Sequence, residues 1–151
     1  MKRSTAAILS VLVMAACAGT KLLLDKGPGT GPLVVKVEGV QHTDGQMRFA
    51  LFGAPEGFPS DPATAEKVEI LPIEGSTVIW DAGEVPTGMW AVSVLHDEDG
   101  DGTMASDWMG RPTEGWGVTN DARGSFGPPS FEDAAIEVGK DGARVVIQLS
   151  Y

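Results

Sequence analysis

A run of acidic residues and glycines at 97–102 is the part of the sequence best suited to bind an ion. It reads Asp97-Glu98-Asp99-Gly100-Asp101-Gly102, with aspartates at its first, third and fifth positions and glycine at its sixth. This is the first half of a D-x-D-x-D-G calcium loop, in which alternate carboxylates converge on one hard cation and the glycine permits a sharp turn. The sequence therefore predicts calcium binding by the three aspartates, with the carbonyl oxygen of Thr103 at the seventh position.

The second half of the calcium motif is incomplete. The ninth position is Ala105, and the twelfth, where a bidentate glutamate belongs, is Trp108. Asp107 lies one place early and is kept as a further candidate ligand. The alternative is a solvated acidic turn, because Asp and Gly are common turn formers. We favour the ion, because carboxylates packed this closely repel one another without a cation.

The sequence contains two histidines, His42 and His96. His42 falls in a predicted turn and is expected to be exposed. His96 follows Val92 and Val94 on one strand face, which favours a packed histidine over a zinc ligand, since zinc needs further His or Cys at suitable spacing. The sequence has no G-x-S-x-G motif and no phosphate-binding glycine loop, so we expect a non-enzymatic protein. The alternative is a small carbohydrate-active or hydrolytic enzyme that uses the acidic loop with His96.

Residues 115–129 mix aromatic side chains with an amide and a guanidinium. Aromatic faces beside such polar groups suit sugars or peptides. The candidate binding set is His96, Trp116, Asn120, Arg123 and Phe126. In the alternative that we favour, Trp116 and Phe126 cap the core while Arg123 pairs with the acidic loop, because large aromatics more often pack than bind.

The elements that must position these residues have the pattern of β-strands. From Leu33 onward apolar residues recur with period two, and Gly, Pro or Asp clusters interrupt them about every ten residues, as in β-sandwiches. Strands are predicted at residues 33–38, 46–51, 67–73, 77–81, 89–96, 134–138 and 143–151. The first two are expected to form a hairpin, and the nearly continuous apolar run at 89–96 predicts a central strand. About seven strands predict a single all-β sandwich, immunoglobulin-like or transthyretin-like.

One long segment lacks strand periodicity. Roughly 35 residues separate His96 from Glu132, and loops of this length are usually functional or disordered. Their aromatic residues argue against disorder, so we expect an ordered loop packed over one end of the sandwich. The only helix-permissive stretch is 62–66, where Ser60-Asp61-Pro62 can cap a single turn.

The first residues resemble an export signal. Lys2 and Arg3 precede an apolar run that ends in Met14-Ala15-Ala16-Cys17, which resembles a bacterial lipobox. Residues 1–17 are therefore predicted to be a signal, 18–32 a Gly/Pro-rich tether, and 33–151 the sandwich domain. Acylation of Cys17, followed by Ala18, implies an outer-membrane lipoprotein facing the periplasm or the cell surface. The alternative is cleavage after Ala18, which would release a soluble periplasmic or secreted protein.

Composition excludes several classes of protein. With 11 Lys and Arg against 21 Asp and Glu, the formal charge is −10, which argues against nucleic-acid binding. A single cysteine excludes a disulfide framework within the chain. The uncharged N-terminal stretch is shorter than the ~20 residues of a membrane span, so membrane contact is expected only through the lipid.

Three blocks of sequence resemble the exported bacterial domain-of-unknown-function family 2141. They are Ala50-Leu51-Phe52 with Glu56-Gly57-Phe58-Pro59, residues 86–97, and residues 120–135. The resemblance covers about residues 33–151 and implies an immunoglobulin-like or prealbumin-like sandwich with no established enzymatic activity. Family members carry His-Asp followed by Asn or Asp and glycines, which residues 96–102 match, but often have Asp where this chain has Ala105.

These observations predict a non-enzymatic binding or structural module of the bacterial envelope. Its acidic loop is expected to bind calcium and hold the geometry of the loop. Its loop-rich end is expected to contact an unidentified envelope protein or glycan. A passive structural spacer without a ligand is a further alternative.

Overall fold

The structure is a computed structural model that describes residues 27–151. It is nearly all β. Its strands are β1 Thr30–Glu38, β2 Gln46–Phe52, β3 Lys67–Pro72, β4 Thr77–Pro86, β5 Gly88–Asp97, β6 Gly115–Val118, β7 Ile136–Val138 and β8 Ala143–Gln148. In the described part of the chain, helical structure is confined to the 3-10 turns Pro62–Thr64 and Thr119–Asp121 and to the single turn α1, Phe131–Ala134. Within residues 27–151, no helix is long and apolar enough to cross a membrane.

The strands form two sheets, which confirms the predicted all-β sandwich. One sheet has the order β4-β1-β8, and the other has the order β3-β2-β5-β6 with β7 paired to the start of β5. β1 and β8 run parallel, while β5 is antiparallel to β2, β6 and β7. β5 is therefore the central strand that its apolar run predicted, and its end carries the acidic loop.

The core lies between the sheets and is built by alternate residues of the strands. β1 contributes Leu33, Val35 and Val37, which are fully buried. They pack in one cluster with large side chains of the other strands, among them Met47, Phe49, Trp80, Trp90 and Ile147. The last two strands contribute to the same cluster, since Ile136, Val138, Val145, Ile147 and Leu149 all belong to it or pack against it.

The predicted hairpin between the first two strands is wrong. β1 pairs with β4 and β8, whereas β2 pairs with β3 and β5 in the other sheet. Period-two alternation reveals which side chains face inward but not which strand is the neighbour. The segment 39–45 therefore crosses from one sheet to the other and brings His42 beside the end of β5.

The long segment after β5 is ordered, as predicted, but contains elements that the sequence analysis missed. Residues 115–118 form β6, which pairs with β5. The turn α1 begins after Ser130, whose hydroxyl accepts a hydrogen bond from the Asp133 amide at 3.1 Å. Residues 62–66 are thus not the only helical stretch, although the predicted cap there is present, with Asp61 accepting from the Ala63 amide.

The first strand begins slightly earlier than predicted. Thr30, Gly31 and Pro32, assigned to the tether, belong to β1 and pair with the end of β4. The predicted export signal, Cys17 and most of the tether lie outside the described residues 27–151.

Candidate functional site

The carboxylate of Asp97 is the centre of the candidate site. It ends β5, faces Gln46 of β2 in the sheet register, and is 0% exposed. Its Oδ2 accepts hydrogen bonds from the Gln46 side-chain amide at 2.9 Å and from the Gly102 backbone amide at 3.1 Å. The Arg48 guanidinium lies 3.6 Å from the same oxygen. One oxygen of this buried carboxylate is therefore well satisfied.

The other oxygen of Asp97 is not. Among the described residues, Oδ1 is buried and has no hydrogen-bond partner. A buried anionic oxygen without a partner costs free energy, because it has lost its hydrogen bonds to water and has formed none within the protein. The acidic loop thus holds a carboxylate oxygen that a cation would satisfy.

Two further carboxylates converge on Asp97. Asp99, Glu114 and Asp97 each offer an oxygen, and these three oxygens lie within 4.8 Å of one another. Oxygens bound to one calcium ion at 2.3–2.6 Å are at most about 4.6–5.2 Å apart, so the observed spacing fits a shared ion. Glu114 is only 3% exposed. Its two oxygens accept from the Glu98 and Ala105 backbone amides, both at 2.9 Å, which fixes the carboxylate in place.

Glu114 reaches the site because a short excursion of the chain, residues 105–113, folds back on itself. The Thr113 amide donates to the Ala105 carbonyl at 2.9 Å, and Ser106 pairs with Pro112. The chain therefore returns to its starting point, and the next residue is Glu114. The calcium motif has a glutamate at its twelfth position, and this chain instead has Glu114, which follows the hairpin. The number of residues between Asp97 and Glu114 therefore differs from the fixed spacing of the motif.

The structure does not bring every predicted ligand into this group. Asp101 Oδ1 accepts from the backbone amide and the hydroxyl of Thr103, and these bonds lower the pKa of Asp101. Asp107 holds the tip of the 105–113 hairpin: its carboxylate accepts from the Arg111 backbone amide and side chain, which lowers its pKa. Asp107 is thus placed as a structural residue of the turn, outside the cluster of three.

His96 lies on the opposite side of β5 from Asp97, as neighbouring residues of a strand do. It is fully buried, with Nδ1 2.7 Å from the Tyr151 hydroxyl and Nε2 2.7 Å from the Asp44 carbonyl oxygen. Because the two side chains face different partners, His96 and Asp97 do not form a catalytic pair. The expectation of a packed histidine agrees with this placement.

The predicted aromatic binding set is only partly assembled. The Arg123 guanidinium lies over the Trp116 ring, 4.6 Å from its centroid, and donates to the Ser150 hydroxyl at 2.6 Å. Asn120 instead ties the chain together by donating to the Asp133 and Ala135 carbonyls. Phe126 is fully exposed, so the favoured alternative is wrong in having this side chain cap the core. The contacts shown for Arg123 are with Trp116 and Ser150 and not with the acidic loop.

The acidic loop also forms one wall of a groove on the outer face of the larger sheet. The groove has a volume of about 300 Å³. Its lining includes Arg48, Leu95, Gly102, Thr103, Met104 and Trp116. An ion that stiffened the loop would therefore also fix one side of this groove.

Comparison with known proteins assigns the domain. Residues 35–146 match the bacterial family described as uncharacterized protein conserved in bacteria (DUF2141). The chain belongs to this family. No curated protein and no solved structure matches the chain.

The match to DUF2141 spans the whole candidate site, from the crossing segment that carries His42 to Glu114. The family resemblance drew attention to residues 96–102 but not to Glu114. One sequence feature could have identified Glu114 as a site residue: it follows a compact turn, Asp107-Trp108-Met109-Gly110-Arg111. Such a turn reverses the chain, so that the residues after it lie close to the residues before it. The immunoglobulin-like assignment stays a prediction.

Proposed function

We propose that this DUF2141 protein is a non-enzymatic binding or structural module whose acidic loop binds one calcium ion through Asp97, Asp99 and Glu114. The observation that carries the proposal is the buried Asp97 Oδ1, which has no hydrogen-bond partner in the described part of the chain. The ion would give that oxygen a partner and offset the repulsion among the three carboxylates.

The donor set favours calcium over other divalent ions. All three side-chain ligands are carboxylates, which suit hard cations such as Ca²⁺ and Mg²⁺. Calcium accepts six to eight oxygens in flexible geometry, whereas magnesium demands a near-ideal octahedron at about 2.0–2.1 Å. A site whose ligands come from separate chain segments suits the more flexible geometry of the larger ion. The Thr103 carbonyl and water are the expected sources of the remaining oxygens.

The proposed role of the ion is mechanical. It would join the end of β5 (Asp97), the acidic loop (Asp99) and the residue after the 105–113 hairpin (Glu114). These segments are already connected by the amides that bind Glu114. Calcium would therefore stiffen an existing arrangement and the adjoining groove wall, instead of driving a large opening of the fold.

Binding of calcium is tested by thermal unfolding and calorimetry of the purified chain in calcium and in a chelator. We expect one bound ion per chain and, at a hundredfold excess over Kd, a stabilisation of about 2.7 kcal/mol. Asp99→Asn and Glu114→Gln should lose this response. Asp99 is exposed, so its substitution should leave the fold intact. Glu137→Gln, an exposed residue of β7, is the matched control for the loss of one charge. An unchanged response in Asp99→Asn would refute the site.

The proposed location is the bacterial envelope, with the domain tethered through acylated Cys17. Support comes from the lipobox-like Met14-Ala15-Ala16-Cys17 and from the basic and apolar residues before it. Mass spectrometry of the protein from its native membrane should find a lipid on Cys17. An unmodified N-terminus at Gly19 would instead support the soluble, exported form.

A further inference from the structure

A second cluster of metal-binding side chains lies on the His96 side of β5. His42, His96 and Glu98 each offer one ligand atom, and these atoms lie within 4.8 Å of one another. The two imidazole rings are 4.7 Å apart between centroids. The cluster shares no side chain with the proposed calcium site, and the Glu98 backbone amide, which donates to Glu114, lies between the two groups.

The local backbone is built to bring His42 over the end of β5. Gly45 has φ +75°, a conformation that L side chains rarely adopt. A Cβ at this position would collide with the Asp97 carbonyl oxygen, and would lie 2.6 Å from the Glu98 Cα. The crossing segment 39–45 can therefore press directly against β5, and His42 is held beside His96 and Glu98.

His96 has the hydrogen-bonding arrangement of a metal-binding imidazole. Its Nε2 lies 2.7 Å from the Asp44 carbonyl oxygen, which can only accept, so Nε2 carries the proton. In the neutral imidazole, Nδ1 then has a lone pair. Metal-binding histidines usually donate their other N–H to a carbonyl or carboxylate in this way, which fixes the tautomer and the ring orientation. The Tyr151 hydroxyl now donates to Nδ1 at 2.7 Å.

His42 and Glu98 have the spacing of two ligands of one ion. His42 Nε2 lies 3.3 Å from Glu98 Oε1. Two ligands at about 2.0–2.1 Å from a tetrahedral zinc ion are about 3.3 Å apart. The other nitrogen of His42, Nδ1, is buried without a hydrogen-bond partner among the described residues and lies 3.7 Å from Asp44 Oδ2. The side chains of His42 and Glu98 are 38% and 31% exposed, so an ion can reach them from solvent.

We propose that His42, His96 and Glu98 form a second metal site, selective for a divalent transition metal such as zinc. Two imidazole nitrogens and one carboxylate suit Zn²⁺, and the oxygen-preferring calcium ion should not compete. The ion takes the Nδ1 lone pair of His96 that the Tyr151 hydroxyl now occupies. Tyr151 is 39% exposed, so its hydroxyl can move away from Nδ1, and the fourth position is left to water.

The site is tested by titrating the untagged, calcium-loaded chain with zinc chloride in a calorimeter. We expect one zinc ion per chain in addition to calcium. His42→Ala and Glu98→Gln should weaken zinc binding by at least tenfold, while Glu137→Gln, which loses the same charge as Glu98→Gln, should not. His42 lies in a loop and Glu98→Gln conserves shape, and circular dichroism of both variants checks that they fold.

A second measurement separates this site from the proposed calcium site. Cobalt(II), used in place of zinc, should give the intense visible absorption of a four-coordinate ion, and excess zinc should remove it. Asp99→Asn should keep the cobalt spectrum while losing the response to calcium. Zinc affinity that is equal in the wild type and in His42→Ala, or a cobalt spectrum lost in Asp99→Asn, would overturn the proposal.

Discussion

The side chains of His96 and Asp97 are neighbours in sequence, are both fully buried, and meet opposite surroundings. On one side of β5, both nitrogens of His96 have hydrogen-bond partners. On the other side, Asp97 has one satisfied oxygen and one without a partner in the described structure. The two side chains are therefore equally buried, and they differ in how many of their polar atoms have a hydrogen-bond partner within the protein.

Each side also has one group that would compete with a cation. Arg48 lies 3.6 Å from Asp97, and the Tyr151 hydroxyl covers Nδ1 of His96. Arg48 opposes an ion by charge, whereas Tyr151 opposes it by occupying a lone pair. The two proposed sites should therefore respond to different substitutions, and this contrast can be tested from either side.

The largest effect is expected from His96→Phe. The substitution keeps an aromatic ring but leaves the Asp44 carbonyl and the Tyr151 hydroxyl without their partner. Each loss costs about 1–3 kcal/mol, so we expect the free energy of unfolding to fall by about 2–6 kcal/mol. Urea unfolding measures this change. Calcium affinity should stay the same, since His96 faces away from Asp97, and a parallel loss of calcium binding would show that the two sides are not separate.

The next largest effect is expected from Arg48→Gln. Removing a positive charge 3.6 Å from the Asp97 carboxylate should tighten calcium binding about fivefold, close to 1 kcal/mol, because the guanidinium repels the ion. Titration calorimetry at low and high salt checks the result. Arg144→Gln, an exposed residue of β8, is the matched control and should have no effect. Weaker binding in Arg48→Gln would mean that Arg48 positions the carboxylate instead of competing with the ion.

Tyr151→Phe is the corresponding change on the other side. It removes the hydroxyl that now donates to His96, which is worth about 1 kcal/mol. Zinc should then bind about fivefold tighter, while calcium affinity should not change. Competition of zinc against a chelating dye measures the shift. Zinc binding that becomes much weaker would assign the Tyr151 oxygen as a required ligand.

The smallest effect concerns pH. Hydrogen bonds from Thr103 lower the pKa of Asp101, and those from Arg111 lower the pKa of Asp107. Such groups stabilise the fold above their unfolded pKa, about 3.9, and the contribution is lost as pH falls through the lower folded pKa. In a chelator, wild-type stability should therefore fall slightly on acidification below about pH 4. The fall should be shallower in Asp101→Asn, as thermal melts across this range can show.

The sequence predicted the features that depend on local patterns along the chain, such as buried strands and caps. It did not predict which strands pair with each other in the sheets. The buried central strand at 89–96 and the cap at Asp61 followed from local patterns. The wrong hairpin at residues 33–51 did not, because alternation does not choose a strand's partner. β6 was missed because only four residues, two of them glycines, form the strand.

Some residues of the candidate site could likewise be predicted from local sequence patterns, and others could not. Asp97 and Asp99 could be predicted from their spacing, because successive ligands in a loop come at fixed intervals. Glu114 and His42 could not, because a hairpin and a crossing between sheets bring them to β5. Phe126 was expected to pack against the core but is exposed, since residue type alone does not tell whether a large side chain is buried.

The small hairpin at 105–113 begins and ends beside the proposed calcium ligands, while its tip carries Trp108, which is 92% exposed. Its two ends are held by the pairing of Ala105 with Thr113. The exposed side chain of Trp108 can therefore be changed without removing this pairing, which precedes Glu114. Trp108 is thus a position at which a fluorescent label could be attached while the side chains of the proposed calcium ligands stay unchanged.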